Sequence, residues 1–274
     1  MSKRPTEFEG TEHELVAMTK DLEGLHHDVG MPAMRAGVSR MIDSVRSSTV
    51  RPTSRRSFLI GAGAVAGGAA LVTVGGSLAP ALAGAAQRDT RSLRSLSSAN
   101  AAAFPPAGLT GDLAVAAVAA SLENLAVFAY SAGLSAATAG KLGAVPPAVA
   151  TFATTVKGQH TQHAAAWNAV LKSNHKAAIT VTNPTLTPVV QADFGKVTDI
   201  AGLANLALTL ETIAAETYQV ETAKLKSKAA IGLSASIMPV EMQHIAILYY
   251  VLGEYPGTQN SSGPLAFSPT TSAV

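Results

Sequence analysis

The sequence predicts an all-α protein built on a four-helix bundle, two antiparallel helix hairpins joined by a long crossover. Three observations predict it. Alanine and leucine dominate the second half of the chain, and both favour helix over sheet. Four long apolar segments there begin and end on helix-terminating residues. The connections within the first and last pairs are short, whereas the middle one (AAITVTNPTLTPVVQ) is long, polar and β-branched.

The chain has 274 residues, 47% of them hydrophobic and only 14% charged, which is ample for one core. A net charge of +2, with no basic stripe interleaved with aromatics, argues against nucleic acid as a partner. The absence of cysteine excludes disulfides, thiolate zinc sites, iron–sulfur clusters and a cysteine nucleophile.

Residues 1–53 form a long, mixed-charge n-region, expected to be cytoplasmic, with a short amphipathic helix from Glu12 to Leu25. His26 and His27 lack a spaced partner and are expected at the surface. Met31, Met34 and Met41 offer later translation starts. Residues 54–83 read as a twin-arginine signal peptide. Arg55, Arg56, Phe58 and Leu59 supply its core, and no charge follows from Ser57 through Ala86. Ala81 and Ala83 give the small-x-small pattern of a cleavage site. The segment is long enough to span a bilayer, so an uncleaved leader would be a membrane anchor. The paired arginines and the glycine load favour export. The expected partner is the twin-arginine translocase, and the expected location is the periplasm, cell envelope or exterior. Residues 84–107 read as a polar linker.

The bundle occupies residues 108–254, with a C-terminal tail at 255–274. Its first helix spans about Gly111 to Leu134. The second starts at Pro146-Pro147, proline being suited to a first turn, and reaches about Lys172. The third starts at a capping Asp199 and runs to about Lys226. The fourth runs from about Ala230 to Leu252 and stops at Gly253, and Pro239 inside it predicts a kink. Trp167 is expected in the core. His175, beyond the second helix, is expected to interact with that helix's dipole.

An internal repeat carries the chemistry. Leu122–Tyr130 (LENLAVFAY) and Leu210–Tyr218 (LETIAAETY) both place Tyr two helical turns after Glu, on the same face. The second helix carries His160 and His163, and the fourth carries Glu241 and His244, each pair at i and i+3 on one side of its helix. Buried carboxylates on apolar helices need compensation by cations or hydrogen bonds. Glu123, Glu211 and Glu241 with His160, His163 and His244 form a donor set suited to iron or manganese, with zinc also compatible. Tyr130 and Tyr218 either hydrogen-bond these ligands or pack in the core. Glu216 is a competing candidate, but the repeat selects Glu211.

This order resembles the ferritin-like di-iron and di-manganese proteins, specifically bacterial ferritin-like domain proteins with twin-arginine signals. The resemblance covers roughly residues 108–254. It implies a Glu on helix one, Glu-x-x-His on helix two, a Glu on helix three and Glu-x-x-His on helix four. Glu123, His163, Glu211, Glu241 and His244 match, and His160 stands where the family places a bridging Glu. An imidazole donates one nitrogen to one metal, so the site could hold two ions bridged by Glu241, an asymmetric pair, one ion or none. The implied functions are Fe(II) oxidation or peroxide consumption. The alternatives are a metal-free structural or stress-related bundle, or a tethered subunit if the leader persists. A homo-oligomer is compatible with the apolar helices.

Overall fold

The structure, a computed structural model, describes residues 11–49 and 104–254, and every regular element among them is helical. The signal residues Arg55, Arg56, Phe58 and Leu59, the cleavage pattern at Ala81 and Ala83, and the tail at 255–274 lie outside the described residues.

Helix α1 (Glu12–Leu25) begins with a reciprocal cap. The Thr11 hydroxyl accepts the Glu14 backbone N–H at 3.2 Å and donates to the Glu14 carboxylate at 2.7 Å. A π-helical turn (His26–Gly30) leads into α2 (Met31–Thr49). The first bundle hairpin is α3 (Asp112–Thr138) with α4 (Pro147–Ser173). A short helix α5 (Thr187–Phe194) lies in the crossover, and α6 (Ile200–Lys224) with α7 (Lys228–Val251) forms the second hairpin. Asp199 caps α6 as expected, accepting the Gly202 N–H at 2.7 Å.

Helices α3, α4 and α7 end alike. Gly140, His175 and Gly253 each take a left-handed φ, of 69°, 57° and 69°. The next residue then donates back into the helix: Lys141 to Ala136 at 3.0 Å, Lys176 to Leu171 at 2.9 Å and Glu254 to Tyr249 at 2.8 Å. Two asparagines fasten the crossover. Asn124 of α3 donates to the Ile179 and Val181 carbonyls at 2.9 and 3.1 Å. Asn168 of α4 holds both backbone groups of Ile179, at 2.7 and 3.0 Å.

Helix α7 runs unbroken through Pro239, where the sequence predicts a kink. The missing proline N–H frees the Ala235 carbonyl. Both residues are exposed, so water can take up that acceptor and the helix continues past the proline.

The N-terminal pair α1–α2 packs on the bundle across α4 and α7. Leu15 and Leu22 share a core with Val149, Phe152 and Val156 of α4 and with Val240 and Leu248 of α7. Met34 joins the core of Trp167, Leu233 and Ile237. A Cβ at Gly37 would sit 3.1 Å from the Leu233 Cα, so glycine sets how closely α2 approaches α7. The expectation that His26 lies at the surface is corrected here. The π turn carries its ring inward to 1% exposure while His27 stays exposed.

His175 is exposed and is the one non-glycine residue with a left-handed φ among the described residues. His175→Gly should raise stability by roughly 0.5–1 kcal/mol, because the backbone cost of αL disappears while the unfolded chain gains some freedom. Urea unfolding of the two proteins checks this.

Candidate metal centre

Each bundle helix sends one part of the centre inward. Glu123 comes from α3, His160 and His163 from α4, Glu211 from α6, and Glu241 and His244 from α7. All six are buried, and their donor atoms fall into two overlapping groups. Glu123, His160, His163 and Glu241 form one group, and His160, Glu211, Glu241 and His244 form the other; within each, the donor atoms lie within 4.8 Å of one another. Glu216 is half-buried and belongs to neither.

The repeat produces a crossed pattern. Tyr130 of α3 donates to Glu211 of α6 at 2.6 Å, and Tyr218 of α6 donates to Glu123 of α3. Each tyrosine thus fixes the carboxylate of the opposite hairpin. Trp167, fully buried as expected, donates its indole N–H to the Tyr218 oxygen at 2.8 Å. His160 lies between the two outer carboxylates, with Nδ1 2.7 Å from Glu123 and Nε2 3.1 Å from Glu211. His244 turns Nδ1 inward, 3.1 Å from Glu211, and donates from Nε2 to Gln159 at 2.7 Å. Gln159 carries no sequence signal as a site residue except its place one step before His160.

Glu241 differs from the other two carboxylates. Neither of its oxygens has a hydrogen-bond partner, although both are fully buried. Oε1 lies 3.0 Å from His163 Nδ1, and Oε2 lies 3.3 Å from His244 Nδ1. The distances are short but the alignment is not that of hydrogen bonds. Such atoms converge on points between them. The residues therefore fit a pair of cations: Glu123, His163 and Glu241 on one side, Glu211, His244 and Glu241 on the other. A neutral His160 has one lone pair and can complete only one side, which makes the pair asymmetric.

Electrostatics follow from dry burial. Burial opposes ionisation of Glu123, but the His163 and His160 charges beside it win and hold its pKa at about 2. Burial likewise opposes charge on His163, and the Glu123 carboxylate overcomes this and raises it to about 9. His160 and His244 are raised in the same way, chiefly by Glu211 against the effect of burial. Burial and the neighbouring carboxylates push Tyr130 and Tyr218 well above 10, so both hydroxyls remain proton donors.

A cavity of about 30 Å³ opens against the ligands between α3 and α6. Glu123, His160 and Glu211 line it, with Leu122, Leu125 and Ala214 among its apolar walls. It has room for one or two water-sized molecules. On the other side of Tyr130 an apolar cavity of about 50 Å³ includes none of the ligands.

These shifts set a pH window for the metal-free protein. Glu123, depressed from 4.5 to about 2, contributes fully above about 4.5 and loses that contribution as pH falls through 2. His163, raised from 6.5 to about 9, contributes fully below about 6.5 and loses it as pH rises through 9. Thermal unfolding across pH 3–10 should give the highest Tm near pH 5–6 and a steady fall towards pH 9. Tyr218→Phe removes the donor to Glu123 and leaves the Trp167 N–H without an acceptor, at an expected cost of about 1–3 kcal/mol. Tyr130→Phe removes one donor only and should cost less in the same urea titration.

The ferritin-like domain family matches residues 111–254, the segment that holds all four bundle helices and all six Glu and His residues of the cluster. No curated protein and no solved structure matches the chain. With that match spanning more than half of its length, the chain belongs to the ferritin-like domain family.

Proposed function

We propose that this chain is an exported ferritin-like protein that holds two iron or manganese ions and oxidises Fe(II) or consumes peroxide. The observation that carries the reading is Glu241, with two buried oxygens lacking hydrogen bonds and each set beside a different inward-facing histidine nitrogen. A carboxylate left so in a dry core costs several kcal/mol unless a cation compensates it. Oxygen and imidazole donors together suit iron or manganese. Export rests on the signal at Arg55 and Arg56. Folding before export would let the bundle close around the metal supplied inside the cell.

When bound, iron or manganese would supply the redox equivalents that dioxygen or peroxide chemistry requires. The protein's own groups do the rest. Glu123, His163, Glu211, His244 and the shared Glu241 would hold the ions, and His160 would favour one of them. Tyr130 and Tyr218 fix the outer carboxylates through crossed hydrogen bonds and retain their protons at neutral pH. Gln159 fixes the ring of His244. The small cavity beside Glu123 and Glu211 is of a size to hold a molecule such as dioxygen or peroxide.

A second reading has one observation in its favour. His160 faces a carboxylate with each nitrogen, at 2.7 and 3.1 Å, as an imidazolium donating from both would. Three imidazolium ions would balance three carboxylates, and the bundle would then be metal-free and serve a structural or stress-related role.

Elemental analysis of protein purified without chelators separates the two. The metal reading expects close to two iron or manganese ions per chain, reduced to a trace in the Glu123→Ala, His244→Ala double variant. Substoichiometric metal that is unchanged in that variant overturns it. Glu241→Ala should cost both ions, whereas Glu123→Ala should cost mainly the ion on the His163 side. Loaded protein should consume Fe(II) or peroxide at a rate that falls at least tenfold in Glu241→Ala.

A further inference from the structure

The π turn delivers a fourth buried histidine to the edge of the centre, from a segment outside the family match. His26 is 1% exposed, and its ring centroid lies 5.4 Å from that of His163, with the rings tilted by 63°. Its Nε2–H donates to Gln162 Oε1 at 2.6 Å. An amide oxygen only accepts, so the proton is on Nε2 and Nδ1 is left with a free lone pair. That Nδ1 is buried and has no partner. Gly30, at the end of the turn, leaves room beside it, since a Cβ there would lie 3.2 Å from Nδ1.

His163 has the complementary deficit. Its Nδ1 faces the carboxylates, and its outer Nε2 is buried without a partner. A histidine that binds metal through Nδ1 carries its proton on Nε2, and that N–H needs an acceptor. On the other half of the centre, Gln159 meets this need for His244. On this half, His26 brings a second buried, unpartnered ring nitrogen beside the His163 ring.

Resting on the metal reading above, we infer that His26 is a positioning residue for the metal centre, its Nδ1 accepting the outer N–H of His163 and so orienting that ligand. In the full chain, before export and before any cleavage after Ala83, the N-terminal hairpin is then part of the centre's scaffold as well as a cover for α4 and α7. Gln162 anchors the relay from outside, giving a chain from Gln162 through His26 to His163.

Cobalt(II) titration of the full chain against a competing chelator tests this, read by affinity and by the visible ligand-field spectrum. His26→Phe keeps a ring but removes the acceptor. It should weaken the His163-side ion about 10–100-fold and shift its spectrum. His26→Gln restores an acceptor and should recover most of the affinity and the original spectrum. His26→Leu is the second acceptor-free variant, and either loss variant suffices if it retains the wild-type circular dichroism. Wild-type affinity and spectrum in the folded loss variants would overturn the inference while leaving the metal reading intact. Equal losses in the Gln and Phe variants would also overturn it, because restoring an acceptor would then recover nothing. A wild-type chain that binds no cobalt, iron or manganese overturns both.

Discussion

The constraint on which the rest depends is the placement of three carboxylates in the centre of an alanine-rich bundle. Water is excluded there, so each charge must be compensated by something the fold itself brings. The compensation is distributed evenly between the hairpins. Glu123 and Glu211 each receive a tyrosine from the opposite hairpin and one face of His160. Those crossed bonds make the hairpins mutually dependent, since the tyrosine on each of these carboxylates comes from the other hairpin. Alanine at so many core positions lets the helices come close enough for these short polar links to form.

Much of this was legible because helix geometry is periodic. The Leu-Glu repeat, the tyrosine two turns on, and the i, i+3 pairs on α4 and α7 picked out all six residues of the buried Glu and His cluster and placed them on four helices. Both roles left open for the tyrosines hold together: Tyr130 and Tyr218 are core residues whose hydroxyls end on ligands. Asp199 and Gly253 marked helix ends because caps are local chemistry. The docked hairpin was harder to read. Its buried stripe is Leu15, Thr19, Leu22 and His26, spaced four, three and four residues apart. The spacing is helical, but two of the four residues are polar, and a hydrophobicity pattern loses them. Helix α2 offered less still, as its close approach depends on Gly37, which has no side chain to signal it. The inward turn of His26 depends on a π turn, which leaves no compositional trace.

The substitution of His160 for a carboxylate gives the centre its particular character. Two glutamates in the i position of α4 and α7 would give two bridges and near-symmetry. Here Glu241 alone has an oxygen for each side, and His160 brings one lone pair and one fewer negative charge. The two overlapping donor groups would therefore offer a pair of metal ions unequal charge and donor number. The outer surroundings differ as well, Gln159 standing behind His244 and the His26 ring beside His163.

The docking of α1–α2 on α4 and α7 also has a topological consequence. Thr49 ends α2 and Phe104 begins the bundle segment, and the uncharged run from Ser57 through Ala86 lies between them. A run that crossed a bilayer once would leave its two ends on opposite faces. The packed hairpin requires both ends on the same face. Docking and single-pass anchoring are therefore mutually exclusive states of one chain: with Leu15 and Leu22 packed on the bundle, the run between the two halves cannot cross a bilayer once.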